Sequence, residues 1–129
     1  MKSRQICWTV AMLLGLSACE EQGRPVPEGF GTTGARARGR TLFLEHCAIC
    51  HGVGANGHGQ RRQSLSGPPA DFTDPSWPGR TPPERAFEIV RGGVPGTSMP
   101  AWKIFDEAQT WDLVSYLHAV ASHGAEVAP

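Results

Sequence analysis

The sequence has few sulfur-containing residues, no excess of charge of either sign and no long apolar run. Its 129 residues include four cysteines and three methionines, and twelve Lys and Arg residues balance twelve Asp and Glu residues. This balance excludes the basic footprint of a nucleic-acid-binding protein. The apolar segment from Ile6 to Leu16 is shorter than the roughly 20 residues that a membrane-spanning helix needs.

The same segment has the organisation of an export signal. Lys2 and Arg4 precede it, and Leu16-Ser17-Ala18-Cys19 ends it. The tetrapeptide resembles the lipobox of bacterial lipoproteins, which implies lipid on Cys19 as the new N-terminus. We therefore expect residues 1–18 to be a signal peptide, and Cys19 to anchor the exported protein on the periplasmic side of a bacterial membrane, including the outer membrane as one option. The alternative is an ordinary signal peptide that is cut nearby.

Cleavage before Cys19 accounts for the cysteines. Cys7 leaves with the signal and Cys19 takes lipid, so only Cys47 and Cys50 remain and no structural disulfide is expected. Met99 is then the one methionine of residues 19–129, a length typical of a single domain. Residues 19–34 are rich in Gly, Pro and polar residues and are predicted to form a flexible tether.

The pentapeptide Cys47-Ala48-Ile49-Cys50-His51 is the attachment signature of a c-type haem. Residues i and i+3 lie on one face of a helical turn, so both thiols can reach the two vinyl groups of one porphyrin. We expect Cys47 and Cys50 to bind one haem c covalently, and His51 to be the proximal iron ligand.

Three alternatives compete with haem attachment. A thioredoxin-like C-x-x-C should follow a strand, whereas Leu42, Phe43 and His46 have helical spacing. A zinc site would need His118 and His123, which lie far beyond the short gap of a zinc finger. The third alternative, chance, is countered only by the rest of the sequence.

Gly39 and Phe43 precede the pentapeptide, and Leu113 and Tyr116 lie near the end of the chain. A residue without a Cβ is where two helix backbones can come nearest. This set resembles the crossing of the first and last helices in class I c-type cytochromes, of the bacterial monohaem and lipoprotein form. The resemblance implies an all-α fold of three to four short helices around one covalent haem over residues 35–121, followed by a polar tail over 122–129. The first helix should begin near Ala35.

The glycine-rich loop after His51 contains a G-x-G-x-x-G pattern, but it follows a helix rather than a strand and is not expected to bind a dinucleotide. It resembles the corresponding loop of bacterial cytochromes c, which implies that the carbonyl of Pro68 or Pro69 accepts a hydrogen bond from His51 Nδ1. Candidate partners for the haem propionates are Trp77, Arg80 and Trp102.

Two further helices are predicted from their starts. Thr81 and Glu84 form a capping-box pattern, and a helix with the apolar stripe Pro83, Ala86, Phe87 and Val90 should run to Gly92-Gly93. Asp106 and Gln109 form a second capping-box pattern, and the last helix should run to about Ser122.

Met99 lies between the last two helices, in a loop stiffened by Pro95 and Pro100. Its Met-Pro-Ala-Trp context is similar to the family's distal-ligand element, which implies that Met99 binds the iron opposite His51. The other candidates are weaker, because His58 lies in the His51 loop and His118 and His123 are predicted to face solvent.

With both axial positions filled, no substrate could reach the iron. We therefore expect no enzyme activity and no small-molecule substrate, but the transfer of single electrons between respiratory or dehydrogenase proteins. The charge balance described above predicts no nucleic-acid partner. Two alternatives remain: a haem enzyme or gas sensor with an open sixth site, and a fixed haem subunit of a membrane electron-transfer complex.

Overall fold

The structure is a computed structural model that describes residues 24–123, and the predicted signal peptide, Cys19 and nearly all of the predicted tail lie outside the described residues. The described part is helical and contains no strand, which confirms the all-α prediction. It has five α-helices rather than three to four, because two of them are single turns. They are α1 (Thr33–His46), α2 (Ala48–His51), α3 (Trp77–Arg80), α4 (Pro83–Gly92) and α5 (Glu107–His123), and a 3-10 turn covers Arg62–Ser64.

Helix α1 begins at Thr33, slightly before the predicted start near Ala35. Thr32 is the N-cap, since its backbone is extended and its hydroxyl accepts a hydrogen bond of 3.3 Å from the Ala35 N–H. A threonine hydroxyl at this position satisfies one of the N–H groups that have no partner within the helix. The cap therefore defines where the chain becomes helical.

The crossing of α1 and α5 is the centre of the fold, as the sequence predicts. Gly39 lies directly against α5, and the rings of Phe43 and Tyr116 are 5.3 Å apart, both fully buried. Beside the crossing, Arg38 holds Asp112 with two hydrogen bonds of 2.7 and 2.8 Å. This contact joins the two ends of the domain around the remaining elements.

Helix α4 buries its predicted stripe but lacks the predicted cap. Ala86, Phe87 and Val90 are buried, whereas the N-cap is Pro82 and no side chain caps the helix. The Thr81–Glu84 capping box is wrong because Thr81 ends α3 instead, with its N–H donating to the carbonyl of Trp77 at 2.9 Å. One threonine cannot adopt both roles.

Helix α5 begins as predicted. The Asp106 carboxylate accepts from the Gln109 N–H at 2.7 Å, and the Gln109 side chain accepts from the Asp106 N–H at 2.9 Å. This reciprocal pair is a capping box. Most of α5 is buried, including every residue from Leu113 to Leu117, so the helix is the main core element.

Residues 24–32, here called the N-terminal arm, lie along α5. Arg24 forms an ion pair of 2.7 Å with Glu107, the ring of Phe30 packs at 6.0 Å against Trp111, and the Gly31 N–H donates to the hydroxyl of Ser115 at 3.1 Å. Over residues 24–34, this arrangement differs from the flexible tether expected over residues 19–34. The Gly and Pro content favoured a tether, but one aromatic ring with an apolar surface to cover is enough to dock the segment.

Within residues 24–123, no helix combines the length and the apolar character needed to cross a bilayer.

Candidate haem site

The two thiols of the pentapeptide lie on one helical turn. The N–H groups of Cys50 and His51 donate to the Cys47 carbonyl at 3.1 and 2.9 Å, and helix α2 continues to His51. Cys47 and Cys50 are free thiols and half-buried. The turn therefore has the geometry that the i, i+3 spacing predicts.

The glycine-rich loop folds back onto this turn. The N–H groups of Gly57 and Gly59 donate to the carbonyls of His51 and Cys50 at 2.8 and 3.2 Å. A Cβ on Gly59 would lie 2.4 Å from the Cys50 carbonyl oxygen, so only glycine allows this approach. The loop thus holds the turn that carries the two thiols.

A cavity of about 430 Å³ opens beside the turn. Its size is within the range of cofactor pockets, which are mostly apolar and contain a few placed polar groups. The four predicted haem residues, Cys47, Cys50, His51 and Met99, all line it. The remaining lining is mainly aromatic, aliphatic and proline, and it includes Phe43, Leu65, Pro68, Pro69, Ala70, Phe72, Trp77, Ala86, Ile89, Val90, Val94, Pro100, Trp102, Leu113 and Leu117.

The ring of His51 is fixed by a backbone carbonyl. Its Nδ1 lies 3.1 Å from the carbonyl oxygen of Ala70, and a proton on Nδ1 would leave Nε2 free to bind a metal. The predicted acceptor, Pro68 or Pro69, is therefore wrong by one or two residues, and the Pro69 carbonyl instead lies against Gly57. Burial lowers the pKa of His51, against the opposing effect of the Ala70 carbonyl. The neutral ring is the form that can bind iron.

Two residues of this wall were not predicted from the sequence. The ring of Phe72 lies 4.8 Å from that of His51, and the Phe72 N–H donates to the Ala55 carbonyl at 2.8 Å. Ala70 acts through its backbone carbonyl, which every residue type has, so its identity as alanine gives no sign of this role. Phe72 could have been suspected only as an isolated aromatic residue after a Pro-rich loop.

The chemistry of Cys47 differs from that of a redox-active thiol. Burial, with a smaller effect from Cys50, raises the pKa of Cys47 to about 12. Reactive cysteines of C-x-x-C oxidoreductases have a lowered pKa and are thiolates near neutral pH. Cys47 stays protonated there, which argues against the thioredoxin-like alternative.

Met99 lies on the opposite loop, which is tied to α4. The Val94 N–H donates to the Met99 carbonyl at 3.1 Å, and the Met99 N–H donates to the Thr97 hydroxyl at 3.2 Å. Gly93 has a φ of 71°, and a Cβ there would lie 2.8 Å from the Met99 carbonyl oxygen. Because Gly93 has no side chain, the backbone of the loop can approach it closely at Met99.

A single hydrogen bond joins the two loops that flank the cavity. The Ser66 N–H, in the segment that leads to Ala70, donates to the Ser98 hydroxyl at 2.8 Å. Ser98 precedes Met99 directly. The walls that carry the predicted proximal and distal sides are thus connected across 32 residues of sequence.

The other predicted histidine alternatives lie away from the cavity. His58 is exposed and bonds the Asn56 carbonyl at 2.8 Å, and His123 is exposed. His118 does not face solvent as predicted: its ring packs 5.0 Å from Trp77 and 5.9 Å from Phe30. None of these three lines the cavity.

His46, predicted only to lie on the helix before the pentapeptide, also lines the cavity. Its ring lies 5.8 Å from that of Trp102 and 5.2 Å from that of Phe105. Its place next to Cys47 could have suggested this position.

Of the three predicted partners of the haem propionates, two line the cavity and one does not. Trp77 and Trp102 line the cavity, whereas Arg80 is not among the lining residues and pairs with Asp74 at 2.8 Å. With hydrogen bonds from Ser76 and Arg80, the pKa of Asp74 is lowered to about 2. Arg80 is therefore engaged in holding its own loop.

The zinc alternative finds no support in residues 24–123, where no three His, Cys, Asp or Glu residues cluster in a way that could hold a metal ion. The cavity instead fits a haem. Two thiols one turn apart, an imidazole with one nitrogen fixed and a thioether surround one apolar space, and this donor set suits a covalently attached iron porphyrin.

Comparison with known families agrees with this geometry. Residues 34–117 match the family model described as cytochrome c oxidase, cbb3-type, subunit III. The matched segment extends from α1 to α5 and includes all four predicted haem residues. No curated protein sequence matches the chain.

Several solved structures are similar to this chain, among them the following three. A reducing HAO-like protein complex of Kuenenia stuttgartiensis matches with a TM-score of 0.57 and 25% identity over 74% of this chain and 44% of that one. Dihydro-haem d1 dehydrogenase NirN matches with a TM-score of 0.50 and 32% identity over 63% of this chain and 16% of that one. Cytochrome cL of Methylophaga aminisulfidivorans matches with a TM-score of 0.55 and 21% identity over 70% of this chain and 59% of that one, which shows a shared fold. The chain thus spans less than two thirds of each of these relatives.

The family match covers more than half of the chain, and the fold and the cavity agree with it. The implied cofactor is one haem c, and the implied role is electron transfer. The chain belongs to the family of c-type cytochrome domains described as cytochrome c oxidase, cbb3-type, subunit III.

Proposed function

We propose that this protein is a monohaem c-type cytochrome that carries single electrons between respiratory or dehydrogenase proteins. Cys47 and Cys50 would hold the haem through thioether bonds, and His51 and Met99 would be the residues that bind its iron. The haem supplies one iron that alternates between the ferric and ferrous states. The protein contributes the orientation of these ligands and an apolar cavity that excludes water from the iron.

One observation carries the proposal. Cys47, Cys50, His51 and Met99 come from two segments about 50 residues apart in sequence, yet all four line the same apolar cavity. A methionine is most often a core residue. Met99 is instead half-buried in a loop that is exposed on both sides of it, so packing alone is a poor explanation for its position.

The residues around the ligands determine how the iron site behaves. The Ala70 carbonyl fixes the orientation of His51 and increases its basicity as a ligand. A Met/His pair gives a higher reduction potential than two stronger donors. The apolar lining disfavours the extra positive charge of the ferric state, which acts in the same direction. We therefore expect a higher reduction potential than that of a haem with two stronger donors in a polar site.

A sulfur ligand on the distal side also argues against an enzyme or a gas sensor. Those functions need an open position at the iron, and Met99 would occupy it. The proposal that the protein is not an enzyme depends on Met99 and on no other residue.

The second candidate is a haem subunit that is fixed in a membrane electron-transfer complex. The family description, an oxidase subunit, and the HAO-like complex among the structural relatives favour it. Purification after mild detergent extraction separates the two functions: a subunit elutes with its complex, and a carrier elutes alone.

For location, we propose export across the inner membrane with residues 1–18 as the signal peptide, and lipid attachment at Cys19 on the periplasmic side. The observation in support is the Leu-Ser-Ala-Cys tetrapeptide after a short apolar segment. Mass spectrometry of the purified protein tests it, because the lipid adds a defined mass to a peptide that begins at Cys19.

The decisive experiment is an optical redox titration of the purified protein and of two variants. The parent should show a covalently bound haem and the charge-transfer absorption of a sulfur-ligated ferric iron. Met99→Ala should keep the haem, lose that absorption and lower the reduction potential. His58→Ala, which removes an exposed histidine away from the cavity, should leave all three properties unchanged. A colourless parent protein, or a parent ferrous form that binds carbon monoxide readily, would contradict the proposal.

A further inference from the structure

The N-terminal arm has a defined direction on the domain. Arg24 pairs with Glu107, the first residue of α5, whereas Phe30 and Gly31 contact Trp111 and Ser115 further along the helix. Arm and helix therefore run in parallel. Followed backwards from Phe30, the described part of the arm reaches the N-terminal end of α5 at Arg24.

Several contacts of different kinds hold the arm. The Arg24 guanidinium lies 5.2 Å from the centre of the Phe87 ring of α4, in addition to its ion pair with α5. The ring of Phe30 lies 5.9 Å from that of His118 as well as against Trp111. Arm residues thus contact both helices, and an exposed ion pair alone would not hold them.

This docking shortens the link between the domain and the proposed lipid. A free tether over residues 19–34 could extend to about 54 Å, at up to 3.6 Å for each residue. Only five peptide steps separate Cys19 from the docked Arg24, so the lipidated residue lies within about 18 Å of it. That distance is shorter than helix α5 alone, whose 17 residues span about 26 Å, so the end of the domain that carries Arg24 must stay near the membrane.

The same end carries exposed apolar side chains. Ile104 is 71% exposed and lies three residues before Glu107, and Val26 of the arm is 36% exposed. Lys103 is also exposed beside Ile104. An isoleucine next to a lysine suits the boundary between lipid headgroups and acyl chains.

We propose that the N-terminal arm is a strap that holds the α5 N-terminal end, with Val26, Lys103 and Ile104, against the lipid surface of the anchoring membrane. The proposal rests on the lipid attachment at Cys19 proposed above. The opposite end of α5, at Ser122, lies about 22 Å further along the helix axis and points away from the membrane. The domain is thereby oriented rather than freely rotating.

The test uses the full-length, haem-loaded and lipidated protein in phosphatidylcholine vesicles. Two variants, Ile104→Cys and Ser122→Cys, are labelled with a nitroxide after haem attachment, when Cys47 and Cys50 are blocked. A nickel chelate on the lipid headgroups reports the contact of each label with the surface. The label at position 104 should show several-fold stronger contact than the label at position 122.

Releasing the arm should remove this difference. The double variant Arg24→Gln, Phe30→Ala deletes the arm's main contacts and should make the two labels nearly equal. Arg38→Gln is the matched control, because it breaks an ion pair of α5 with the same 2.7 Å length outside the arm and should keep the difference.

Each contrary result has a distinct meaning. Equal contact of both labels in the parent protein, or a difference that survives release of the arm, would overturn the strap while leaving the lipid anchor intact. A protein that does not float with the vesicles would overturn the lipid attachment and the strap together, and would leave the electron-transfer function untouched.

Discussion

Gly39 lies so close to Asp112 that a Cβ on the glycine would be 1.9 Å from the aspartate carbonyl oxygen. The backbones of α1 and α5 are in contact at this point. Phe43 and Tyr116, one turn further along each helix, then pack on each other in the core. The position of the cavity depends on this crossing, because Phe43 and Leu113 belong to both.

Gly39→Ala should be strongly destabilising. The added methyl group overlaps a backbone atom that cannot move without displacing α5, and overpacking of this kind costs about 1–3 kcal/mol or more. Gly92→Ala is the matched control, because a Cβ on Gly92 meets nothing within 4 Å, so its effect should be within about 0.5 kcal/mol. Urea unfolding of the haem-loaded proteins measures both. Equal stabilities would show that α5 can shift freely.

Asp106→Ala should lower the free energy of unfolding by about 1 kcal/mol, the usual effect of losing an N-cap side chain. The carboxylate accepts a hydrogen bond of 2.7 Å from the Gln109 N–H, and an alanine side chain at position 106 offers no acceptor in its place. Asp106→Asn keeps an acceptor oxygen and should unfold like the parent. Thermal unfolding compares the three proteins, and an unaltered Asp106→Ala variant would mean that water caps the helix as well.

These two predictions concern features that could be read from the sequence. A glycine at helical spacing from Phe43, and an Asp three residues before a Gln, are local patterns that determine local geometry. The haem turn at Cys47 is of the same kind. In each case the residue type itself carries the physical reason, so the helices and the cavity-lining ligands could be anticipated.

What could not be anticipated depends on contacts between distant segments. The acceptor for His51 is a backbone carbonyl at Ala70, and any residue supplies a carbonyl. The arm docks through Phe30 because α5 offers Trp111, a contact 81 positions away in sequence. His118 becomes half-buried because Phe30 of that arm and Trp77 both pack against it. Composition describes a segment by itself, and these outcomes depend on its neighbours.

Ser98→Ala should loosen Met99. It removes the hydroxyl that accepts from the Ser66 N–H and so separates the two loops around the cavity. A lost hydrogen bond of about 1 kcal/mol corresponds to about a fivefold change in an equilibrium. Carbon monoxide should therefore bind the ferrous form several-fold more tightly than in the parent. Ser64→Ala is the control, since that hydroxyl bonds only the nearby Arg61 carbonyl, and a similar gain there would assign the effect to the loop in general.

Loss of the haem should unfold most of the domain. Cys47→Ser combined with Cys50→Ser prevents covalent attachment and leaves a cavity of about 430 Å³ lined by apolar side chains. A domain of this size has little stability to spare. Far-ultraviolet circular dichroism should show a large loss of helix, whereas Cys19→Ser, which spares the cavity, should keep it. Native helix content in the double variant would show that the protein core is sufficient.

His118 should make stability depend on pH. Burial between Phe30 and Trp77 lowers the pKa of His118, and this outweighs the opposing charge of Glu84. The buried Nε2 has no hydrogen-bond partner in the described residues, so an N–H at that position would have no acceptor for its hydrogen bond. The unfolded chain, with a pKa of about 6.5, takes up the proton first as the pH falls. Stability is therefore complete above about pH 6.5 and declines as the pH drops from there through the lowered folded pKa.

His118→Phe should abolish this decline. A phenyl ring keeps the contacts with Phe30 and Trp77 and removes the unpaired nitrogen, and replacing an unsatisfied buried polar group in this way is neutral or stabilising. Urea unfolding at about pH 7.5 and about pH 5.5, on either side of the unfolded pKa, should give a smaller difference for the variant than for the parent. His123→Gln, at an exposed position of the same helix, should behave like the parent. If His118→Phe keeps the full acid-dependent loss, another group is responsible and folding does not lower the pKa of His118.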